Sequence, residues 1–374
     1  MITKMKKYIL KKNINVTKPF APPLRKYISL LKSIWGHNVF TNNGVCVQTL
    51  EDEISNYTNL KNISLVSNGT IAIQIALNSL GIKKNSEIIT TPFTYIATTS
   101  SILWEGYKPI FADIDKDTFC IDPNEIEKKI TKNTKAILAV HVFGNPCNIK
   151  RINLIAKKYN LYVIYDGAHA FGCEFKSKSL LSFGDLTTCS FHATKVFSTA
   201  EGGLINCRNK KTLGIVSSIK RFGHYGDKYS HIGINGKMSE LHAALGLCNL
   251  QYLKSNIKKR FYISELYDQL LENLYREKVI TRQLKAEGLI YNYSYYPILF
   301  NSEKGLNKVL KVLGDNDIYP RRYFYPSLDT MPFINNQICN ISRSISSRVL
   351  CMPIYESLTT KEVIKICKLL VSSI

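Results

Sequence analysis

The sequence lacks the features that would place it outside a cell or across a membrane. Its ten cysteines include no Cys-x-x-Cys pair and mostly stand in apolar stretches such as LTTCSF, so we expect reduced, buried thiols in a cytoplasmic protein. No apolar run approaches the ~20 residues that a membrane-spanning helix needs. The basic start MITKMKKYILKKNINV has no apolar core segment and no small-residue cleavage site, so we predict no secretion signal.

Acidic residues are few compared with basic ones. Asp and Glu total 28 against 50 Lys and Arg, which gives a formal net charge of +22 and suggests nucleic acid, anionic membranes or phosphate-bearing ligands as partners. The basic residues are nevertheless scattered along the chain, without an arginine-rich stripe or a nucleic-acid-binding motif. We therefore assign much of the excess to solvated surface lysines and predict neither a nucleic-acid nor a membrane partner.

The apolar content is sufficient for a large core, since 45% of the residues are hydrophobic and 11% are aromatic. Between about residues 60 and 210, short β-rich runs alternate with helical patterns, which is typical of an α/β fold. Several runs are apolar almost throughout, as expected for parallel strands that helices cover on both faces. Strands are predicted at 63–66, 87–90, 109–115, 135–142, 161–166, 186–191 and 203–207.

The pattern changes after about residue 245. Long charged helical stretches give way to the aromatic segments YNYSYYPILF (291–300) and RRYFYP (321–326), followed by a last helix, TKEVIKICKLL. We predict a large α/β domain over residues 1–245 and a smaller C-terminal α+β domain over residues 246–374. The connecting helix is predicted to begin near Ser239.

Polar residues that end the predicted strands are candidates for a site, because ligands of open α/β sheets bind beyond the carboxyl ends of strands. Ser67-Asn68-Gly69-Thr70 follows the first strand and opens a helix, where backbone amides attract an anion. An ordinary helix cap explains this sequence at least as well. Asp166 ends the strand LYVIYD, and a carboxylate there either caps the next helix or pairs with a cation.

Lys195 differs from the exposed lysines of the chain. It stands in SFHATKVFSTAEGG among apolar residues and ahead of Gly202-Gly203. Desolvation lowers the pKa of such a lysine, and a neutral amine can form a Schiff base with an aldehyde. Pyridoxal 5'-phosphate (PLP) has a group for each of these features. Its phosphate matches the helix start at 67–70, its ring nitrogen matches Asp166, and its aldehyde matches Lys195. We therefore predict PLP as the cofactor and no metal site.

Seven motifs follow one another along the chain. They are SNGTIAIQIAL, TPFTYIATTSSI, PIFADIDKDTFCIDP, VIYDGAHAFG, SFHATKVFSTAEGG, GINGKMSELHAALG and RVLCMPIYESLT. In this order they resemble those of the DegT/DnrJ/EryC1/StrS family of sugar aminotransferases, fold type I PLP enzymes that act on nucleotide-linked keto sugars, and the likeness extends from about Val16 to the C-terminus. The resemblance implies a mostly parallel sheet flanked by helices, a homodimer with shared active sites, and L-glutamate as the amino donor.

The resemblance also implies roles for residues of these motifs. Lys195 matches the lysine that forms the Schiff base, and Asp166 matches the acid that keeps the pyridine nitrogen protonated. His169 stands where the family has His or Gln beside the phenolic oxygen of the cofactor. Tyr95 stands where an aromatic ring stacks on the cofactor. Taken singly, Tyr95 could be a core residue and His169 a helix histidine.

The same resemblance places the phosphate of the cofactor near Gly69, Thr70 and Ser190. Asn235, in GINGKM, matches an asparagine that reaches across a dimer interface to the phosphate of the partner subunit. As an isolated residue it could equally be a turn former. Lys237 replaces an arginine that is common at its position, which keeps the charge but loses the planar fork.

The segments VTKPFAPPLRKYISLLKSIW, ITTPFTYIATTSSILWEG and RRYFYPSL are most similar to those of members that aminate dTDP-4-dehydro-6-deoxyglucose at C4. The product, dTDP-4-amino-4,6-dideoxyglucose, would serve surface polysaccharide biosynthesis. Amination at C3 of a keto sugar is an alternative, and a PLP-binding regulatory protein without turnover is another.

The C-terminal loop departs from the family pattern. Many relatives carry H-Y-x-P-x-H, whereas this chain has RRYFYPS from Arg321 to Ser327. Arg321, Arg322 and Tyr325, together with Lys237, are our candidates for substrate binding. The two arginines could pair with a diphosphate through bidentate hydrogen bonds, or they could simply be solvated.

Overall fold

The computed structural model describes residues 13–334 and 337–374, so the first twelve residues of the basic start lie outside the described residues. Among the described residues, no helix combines the length and the apolar character needed to cross a bilayer. The helices are α1 (Leu24–His37), α2 (Val45–Thr58), α3 (Gly69–Ser79), α4 (Ile96–Trp104), α5 (Pro123–Lys129), α6 (Ile149–Tyr159), α7 (Lys210–Ile219), α8 (Glu240–Leu250), α9 (Leu253–Leu270), α10 (Glu272–Arg276), α11 (Glu303–Gly314), α12 (Asn340–Arg348) and α13 (Thr360–Ser373).

The strands form one large sheet and several small ones. They are β1 (Ile14–Asn15), β2 (Ile63–Val66), β3 (Glu87–Thr90), β4 (Lys108–Phe111), β5 (Thr134–Val140), β6 (Tyr162–Asp166), β7 (Glu174–Phe175), β8 (Lys178–Ser179), β9 (Leu186–Ser190), β10 (Gly203–Cys207), β11 (His224–Tyr225), β12 (Lys228–Tyr229), β13 (Ile280–Thr281), β14 (Leu289–Ile290), β15 (Tyr296–Phe300), β16 (Ile318–Tyr319) and β17 (Val349–Met352).

The large sheet has seven strands in the order β2-β10-β9-β6-β5-β3-β4. Strands β9, β6, β5, β3 and β4 pair in parallel, and β10 runs antiparallel to both of its neighbours. Each of the seven strands overlaps a segment predicted from the sequence. The expected fold class, a mostly parallel sheet flanked by helices, is confirmed.

Both faces of this sheet are covered, which explains why its strands are apolar almost throughout. Successive residues of a strand point to opposite faces. In β5, Ile137 belongs to the core cluster that contains helix α2, whereas its neighbour Leu138 belongs to the cluster that contains α3. Helix α3 is apolar on every side because it is enclosed between the sheet, α4 and α7.

Several helices begin at residues whose side chains cap them. The Asn68 side chain accepts a hydrogen bond from the amide of Ile71 at 2.8 Å and caps α3. Ser239 caps α8, the predicted connecting helix, and Thr359 forms a capping box with Glu362 at the start of α13.

The C-terminal region packs a three-stranded antiparallel sheet, β13-β15-β17, against α9, α11 and α13 around its own apolar cluster. The main cluster nevertheless includes Leu253, Tyr295 and Val349 from this region. Helix α8 also runs through the expected domain boundary between 245 and 246. The division of the chain into 1–245 and 246–374 stays a prediction.

Glu240 fastens the N-terminal segment to the rest of the molecule. Its side chain is buried on the first turn of α8, and its two oxygens accept the amides of Cys46 and Val47 at 2.7 and 3.1 Å. These amides lie in the first turn of α2 and have no acceptor within that helix. The carboxylate also lies at the positive end of the α2 dipole, which favours its charge.

Candidate active site

A cavity of about 470 Å³ lies at the carboxyl ends of the parallel strands, where the fold predicts a ligand site. Its lining comes from the start of α3, the start of α4, the ends of β6 and β9, the loop after β9 and the C-terminal loop near residue 321. The predicted site residues that line it are Gly69, Thr70, Tyr95, Asp166, His169, Ser190, Lys195 and Arg321.

Gly69, Thr70 and Ser190 form a polar seat at one end of the cavity. The first-turn amides of Gly69 and Thr70 have no intrahelical acceptor, because they open helix α3. A Cβ at position 69 would lie only 2.8 Å from Ser190 Cβ, so glycine allows the helix to meet the end of β9. Two free amides, a helix dipole and nearby hydroxyls suit a phosphate group.

Asp166 ends β6 and is only 5% exposed. Thr98 Oγ1 donates to its Oδ2 at 2.8 Å, and the amide of Ala168 donates to its Oδ1 at 3.0 Å. Burial raises the pKa of Asp166, whereas these two hydrogen bonds and the positive charge of Lys195 lower it. The carboxylate therefore has one protein donor on each oxygen and keeps lone pairs for a cationic ligand.

Lys195 lies in the turn that follows β9, where its amide donates to His192 O at 2.9 Å. Its side chain is partly accessible because it lines the cavity, but desolvation by the surrounding residues lowers the pKa of its amine. The negative charge of Asp166 opposes this shift. A weakened base is suited to react as a neutral amine.

The glycine pair that follows Lys195 allows the backbone of this loop to pack closely against Thr199 and Asn68. A Cβ at Gly202 would lie 2.1 Å from Thr199 Oγ1, and one at Gly203 would lie 2.6 Å from Asn68 O. Gly203 thus lets β10 pass directly against the cap of α3. The loop carrying Lys195 and the polar seat are held together by these contacts.

His169 is buried, and its ring stacks on Phe324 with centroids 5.9 Å apart. The amide of Phe143 donates to His169 Nδ1 at 3.2 Å, so the ring proton lies on Nε2. Burial holds the pKa of His169 well below its usual range, and Lys195 lowers it further. The histidine is therefore a neutral donor at the cavity wall.

Tyr95 is the residue before α4 and is 60% exposed, so it is not a core residue. Aromatic residues that the sequence did not single out also line the cavity. Tyr295, Tyr323 and Phe324 contribute rings from the C-terminal region, and Arg321 lies beside the Tyr323 ring at 5.4 Å.

The structure does not bring Asn235 and Lys237 to the cavity of their own chain. Asn235 is exposed, and its Oδ1 accepts from Lys237 Nζ at 2.5 Å. The amine of Lys237 also lies 4.9 Å from the centre of the Phe222 ring. Desolvation and the charge of Arg221 lower the pKa of Lys237.

Arg322 and Tyr325 also lie outside the cavity lining. Arg322 Nη2 is 2.6 Å from Glu303 Oε1 and 2.8 Å from Ser347 O, and the guanidinium lies 3.4 Å from the centre of the Tyr325 ring. These contacts attach the loop to α11 and to the end of α12. The two adjacent arginines therefore have different surroundings.

Sequence reasoning also missed Thr98, His192 and Glu201. Thr98 contacts Asp166, and the other two face each other at the cavity with 3.6 Å between His192 Nε2 and Glu201 Oε1. Thr98 follows Tyr95 by three residues at the start of a helix, a spacing that places two side chains on one face. That spacing was a usable signal. His192 and Glu201 flank Lys195 in the quoted motif without any distinctive spacing.

These features fit PLP. The polar seat offers amides and hydroxyls for the phosphate, Asp166 offers an anion for the ring nitrogen, and Lys195 offers an amine for the aldehyde. Tyr95 offers an exposed ring for stacking. The cavity volume is within the range of ~300–1,000 Å³ that small-molecule sites occupy.

The fold and the cavity are those of a PLP-dependent aminotransferase. The chain belongs to the DegT/DnrJ/EryC1/StrS aminotransferase family, whose sequence pattern matches residues 25–371. The family resemblance predicted from the motifs is therefore confirmed, and so is PLP as the cofactor.

Two relatives are similar over nearly their whole lengths. The chain is 41% identical to dTDP-4-amino-4,6-dideoxy-D-glucose transaminase of Shigella dysenteriae over 358 residues, with 94% of this chain and 96% of the relative covered. It is 38% identical to dTDP-4-amino-4,6-dideoxy-D-glucose transaminase of Escherichia coli over 369 residues, with 96% and 98% covered.

Solved structures agree with this placement. NtdA from Bacillus subtilis, crystallised with bound cofactor PMP, is 27% identical with a TM-score of 0.86, and 94% of this chain and 81% of that one are covered. DesI, crystallised in the presence of its TDP-sugar product, has a TM-score of 0.90 over 96% of this chain and 93% of that one. At 24% identity the second likeness concerns the fold alone.

Proposed function

We propose that this protein transfers the amino group of L-glutamate to C4 of dTDP-4-dehydro-6-deoxy-D-glucose. The products are 2-oxoglutarate and dTDP-4-amino-4,6-dideoxy-D-glucose. The observation that carries the proposal is the 41% identity over 94% of the chain to a transaminase of that name, together with a cavity that fits PLP. PLP supplies an aldehyde that accepts an amino group and a ring that stabilises negative charge beside it.

Lys195 has two tasks in this proposal. Its amine would hold the cofactor covalently until the amino donor takes its place. Lys195 Nζ would then take the proton from the α-carbon of glutamate and, in the second half of the reaction, give a proton to C4 of the sugar. Both tasks need a partly neutral amine, which the lowered pKa of Lys195 supports.

The other cavity residues orient the cofactor. The amides of Gly69 and Thr70 and the Ser190 hydroxyl would bind its phosphate, while Asp166 would pair with the protonated ring nitrogen. His169, with its proton on Nε2, would donate to the phenolic oxygen. Arg321 lines the cavity and would pair with an anionic group of a substrate, such as the sugar-nucleotide diphosphate.

The test is an assay of glutamate with dTDP- and UDP-linked keto sugars, followed by NMR of the product. Transfer to C4 of the dTDP sugar is expected. Transfer at C3 would contradict the proposed position of the new amine. A protein that keeps its cofactor spectrum unchanged when glutamate is added would contradict the enzyme itself.

We also propose a homodimer in which each subunit completes the site of the other. Asn235 is exposed and does not line the cavity of its own chain. The adjoining hairpin β11–β12 carries the exposed rings of Tyr225 and Tyr229, and Ile232 is 88% exposed. An apolar, exposed segment beside the exposed Asn235 side chain fits contact with a second copy of the chain, whose phosphate seat Asn235 would reach.

Mixing two inactive variants tests the shared site. A dimer of one Lys195→Ala chain and one Asn235→Ala chain contains one intact site only if Asn235 serves the partner. We therefore expect the mixture to regain transfer activity that neither variant has alone. If mixed dimers form but no activity returns, the shared site is contradicted.

A cytoplasmic location and a role in O-antigen polysaccharide biosynthesis belong to the same proposal. The ten free, buried cysteines fit a reducing compartment. Deleting the gene and analysing the sugars of the surface lipopolysaccharide tests the role. Loss of a 4-amino-4,6-dideoxy sugar is expected, and an unchanged sugar composition would contradict it.

A further inference from the structure

The carboxylate of Asp166 is supported by a chain of hydroxyl groups at the start of α4. Thr98 Oγ1 donates to Asp166 Oδ2 at 2.8 Å. A threonine hydroxyl has a single proton, and this bond uses it. The contact of 2.9 Å between the hydroxyls of Thr94 and Thr98 therefore has Thr94 as its donor.

These groups are withdrawn from solvent. Thr94, Thr98 and Asp166 are 3%, 0% and 5% exposed. A buried carboxylate has lost the water that stabilises its charge and depends on protein donors instead. A hydroxyl that donates to a charged group forms a stronger bond than one between neutral groups, and a second hydroxyl behind it polarises it further.

We propose that Thr98, supported by Thr94, is a positioning residue that keeps Asp166 ionised and aims its remaining lone pairs at the PLP ring nitrogen. The inference depends on the role of Asp166 proposed above. Thr98 acts through Asp166 and takes no part in the transfer itself. The amide of Ala168 fixes the other oxygen, so the plane of the carboxylate is set from both sides.

Neighbouring groups do not provide the same support. The histidines near Asp166 have lowered pKa values and the thiols have raised ones, so both kinds are neutral near pH 7. Lys195 is the charged neighbour, and it is used for the cofactor aldehyde. The titratable groups around Asp166 are Lys195, His141, His169, Cys147 and Cys189.

The test is the affinity of the cofactor-free, full-length protein for PLP, measured by absorbance titration from pH 5 to pH 9. Thr98→Val keeps the shape of the side chain and removes the hydroxyl. We expect its PLP affinity at neutral pH to fall on the order of tenfold, the usual effect of losing a hydrogen bond to a charged group. The pKa of Asp166 should rise in this variant. As the pH is lowered, PLP binding should therefore begin to weaken at a higher pH than in the parent.

The neighbouring Thr99 provides a matched control. It is equally buried on the same helix, but its hydroxyl has no hydrogen-bond partner within the described part of the chain. Thr99→Val should bind PLP with the parent affinity and the parent pH dependence. Thr98→Ser, which keeps the hydroxyl, should restore most of the lost affinity, and Thr94→Val should show a smaller loss than Thr98→Val.

The outcomes separate this inference from the role of Asp166. If Asp166→Asn weakens PLP binding and Thr98→Val leaves affinity and pH dependence unchanged, the hydroxyl chain has no such role. An equal loss in Thr99→Val would attribute the effect to packing of α4 and would also overturn the inference. If Asp166→Asn itself binds PLP normally, the assignment of Asp166 fails, and the inference fails with it.

Discussion

Lys195 and Lys220 are both withdrawn from water, and burial lowers the pKa of each amine. Their partners differ. Lys220 Nζ donates to Leu65 O at 3.1 Å and lies 3.6 Å from Glu51 Oε1. Within residues 13–334 and 337–374, Lys195 Nζ has no hydrogen-bond acceptor and faces the cavity. A low pKa alone therefore does not mark a reactive lysine, because the amine must also be unpaired and accessible to a ligand.

The largest expected effect is the loss of amino transfer in Lys195→Ala. This variant removes both the covalent attachment of the cofactor and the proton carrier, so activity should fall on the order of 10³-fold or more. The measurement is the initial rate with glutamate and the keto sugar. The circular dichroism spectrum should remain that of the parent. Normal turnover in this variant would contradict both roles of Lys195.

Lys220→Met should instead reduce stability and leave the cofactor chemistry intact. It removes the donor to Leu65 O and the positive charge beside the Glu51 carboxylate, which should lower the free energy of unfolding by about 1–3 kcal/mol. Urea unfolding measures this change. After borohydride reduction of the PLP-bound variant, mass spectrometry should still find the cofactor on Lys195. Cofactor on Lys220 in the parent would contradict our distinction between the two amines.

The pH dependence of stability tests the lowered pKa of Lys195. A lysine whose pKa is lower when folded binds fewer protons than in the unfolded chain. Its contribution therefore makes the cofactor-free protein more stable as pH rises from the lowered pKa toward the ordinary value of 10.5. Lys195→Met should reduce this slope by at most about 1.4 kcal/mol per pH unit. Urea unfolding at several pH values, with the parent as reference, measures it; an unchanged slope would contradict the lowered pKa.

Glu51→Gln should have the smallest effect. Gln retains an oxygen for the amide of Leu65, which Glu51 accepts at 2.8 Å, and loses only the charge opposite Lys220. A partly exposed ion pair at this separation contributes about 0–1 kcal/mol. Thermal unfolding should therefore differ little from that of the parent. A loss as large as that of Lys220→Met would assign the pairing of Lys220 to Glu51 alone.

The sequence predicts the large sheet well because its strands are continuous apolar runs with clear ends. The largest difference in length is in β4, which is predicted to extend to residue 115 but ends at Phe111. The Asp113 side chain accepts the amides of Ile341 and Ser342, in the first turn of α12. The local sequence around Asp113 could not predict this contact, because the helix lies more than 200 residues away in the chain.

The same limit applies to the candidate site. Lys195 and Asp166 could be identified because each is a charged residue in an apolar setting at the end of a strand. The bond between Thr98 and Asp166 joins residues 68 positions apart, and only the packing of α4 brings them together. Likewise, Arg322 contacts residues of α11 and of the end of α12. The sequence RR therefore could not predict that Arg321 lines the cavity and Arg322 does not.

Glu240 limits how far the chain can be shortened at its N-terminal end. Its carboxylate accepts the amides of Cys46 and Val47 in the first turn of α2, almost 200 positions earlier in the chain. A chain that began at α3 would lack both amides, which would leave a buried negative charge without donors. The same α8 helix donates from the Asn249 amide to Ser198 O, three residues after Lys195. Removing α2 would therefore disturb the packing of α8 and, through it, of the loop that carries Lys195.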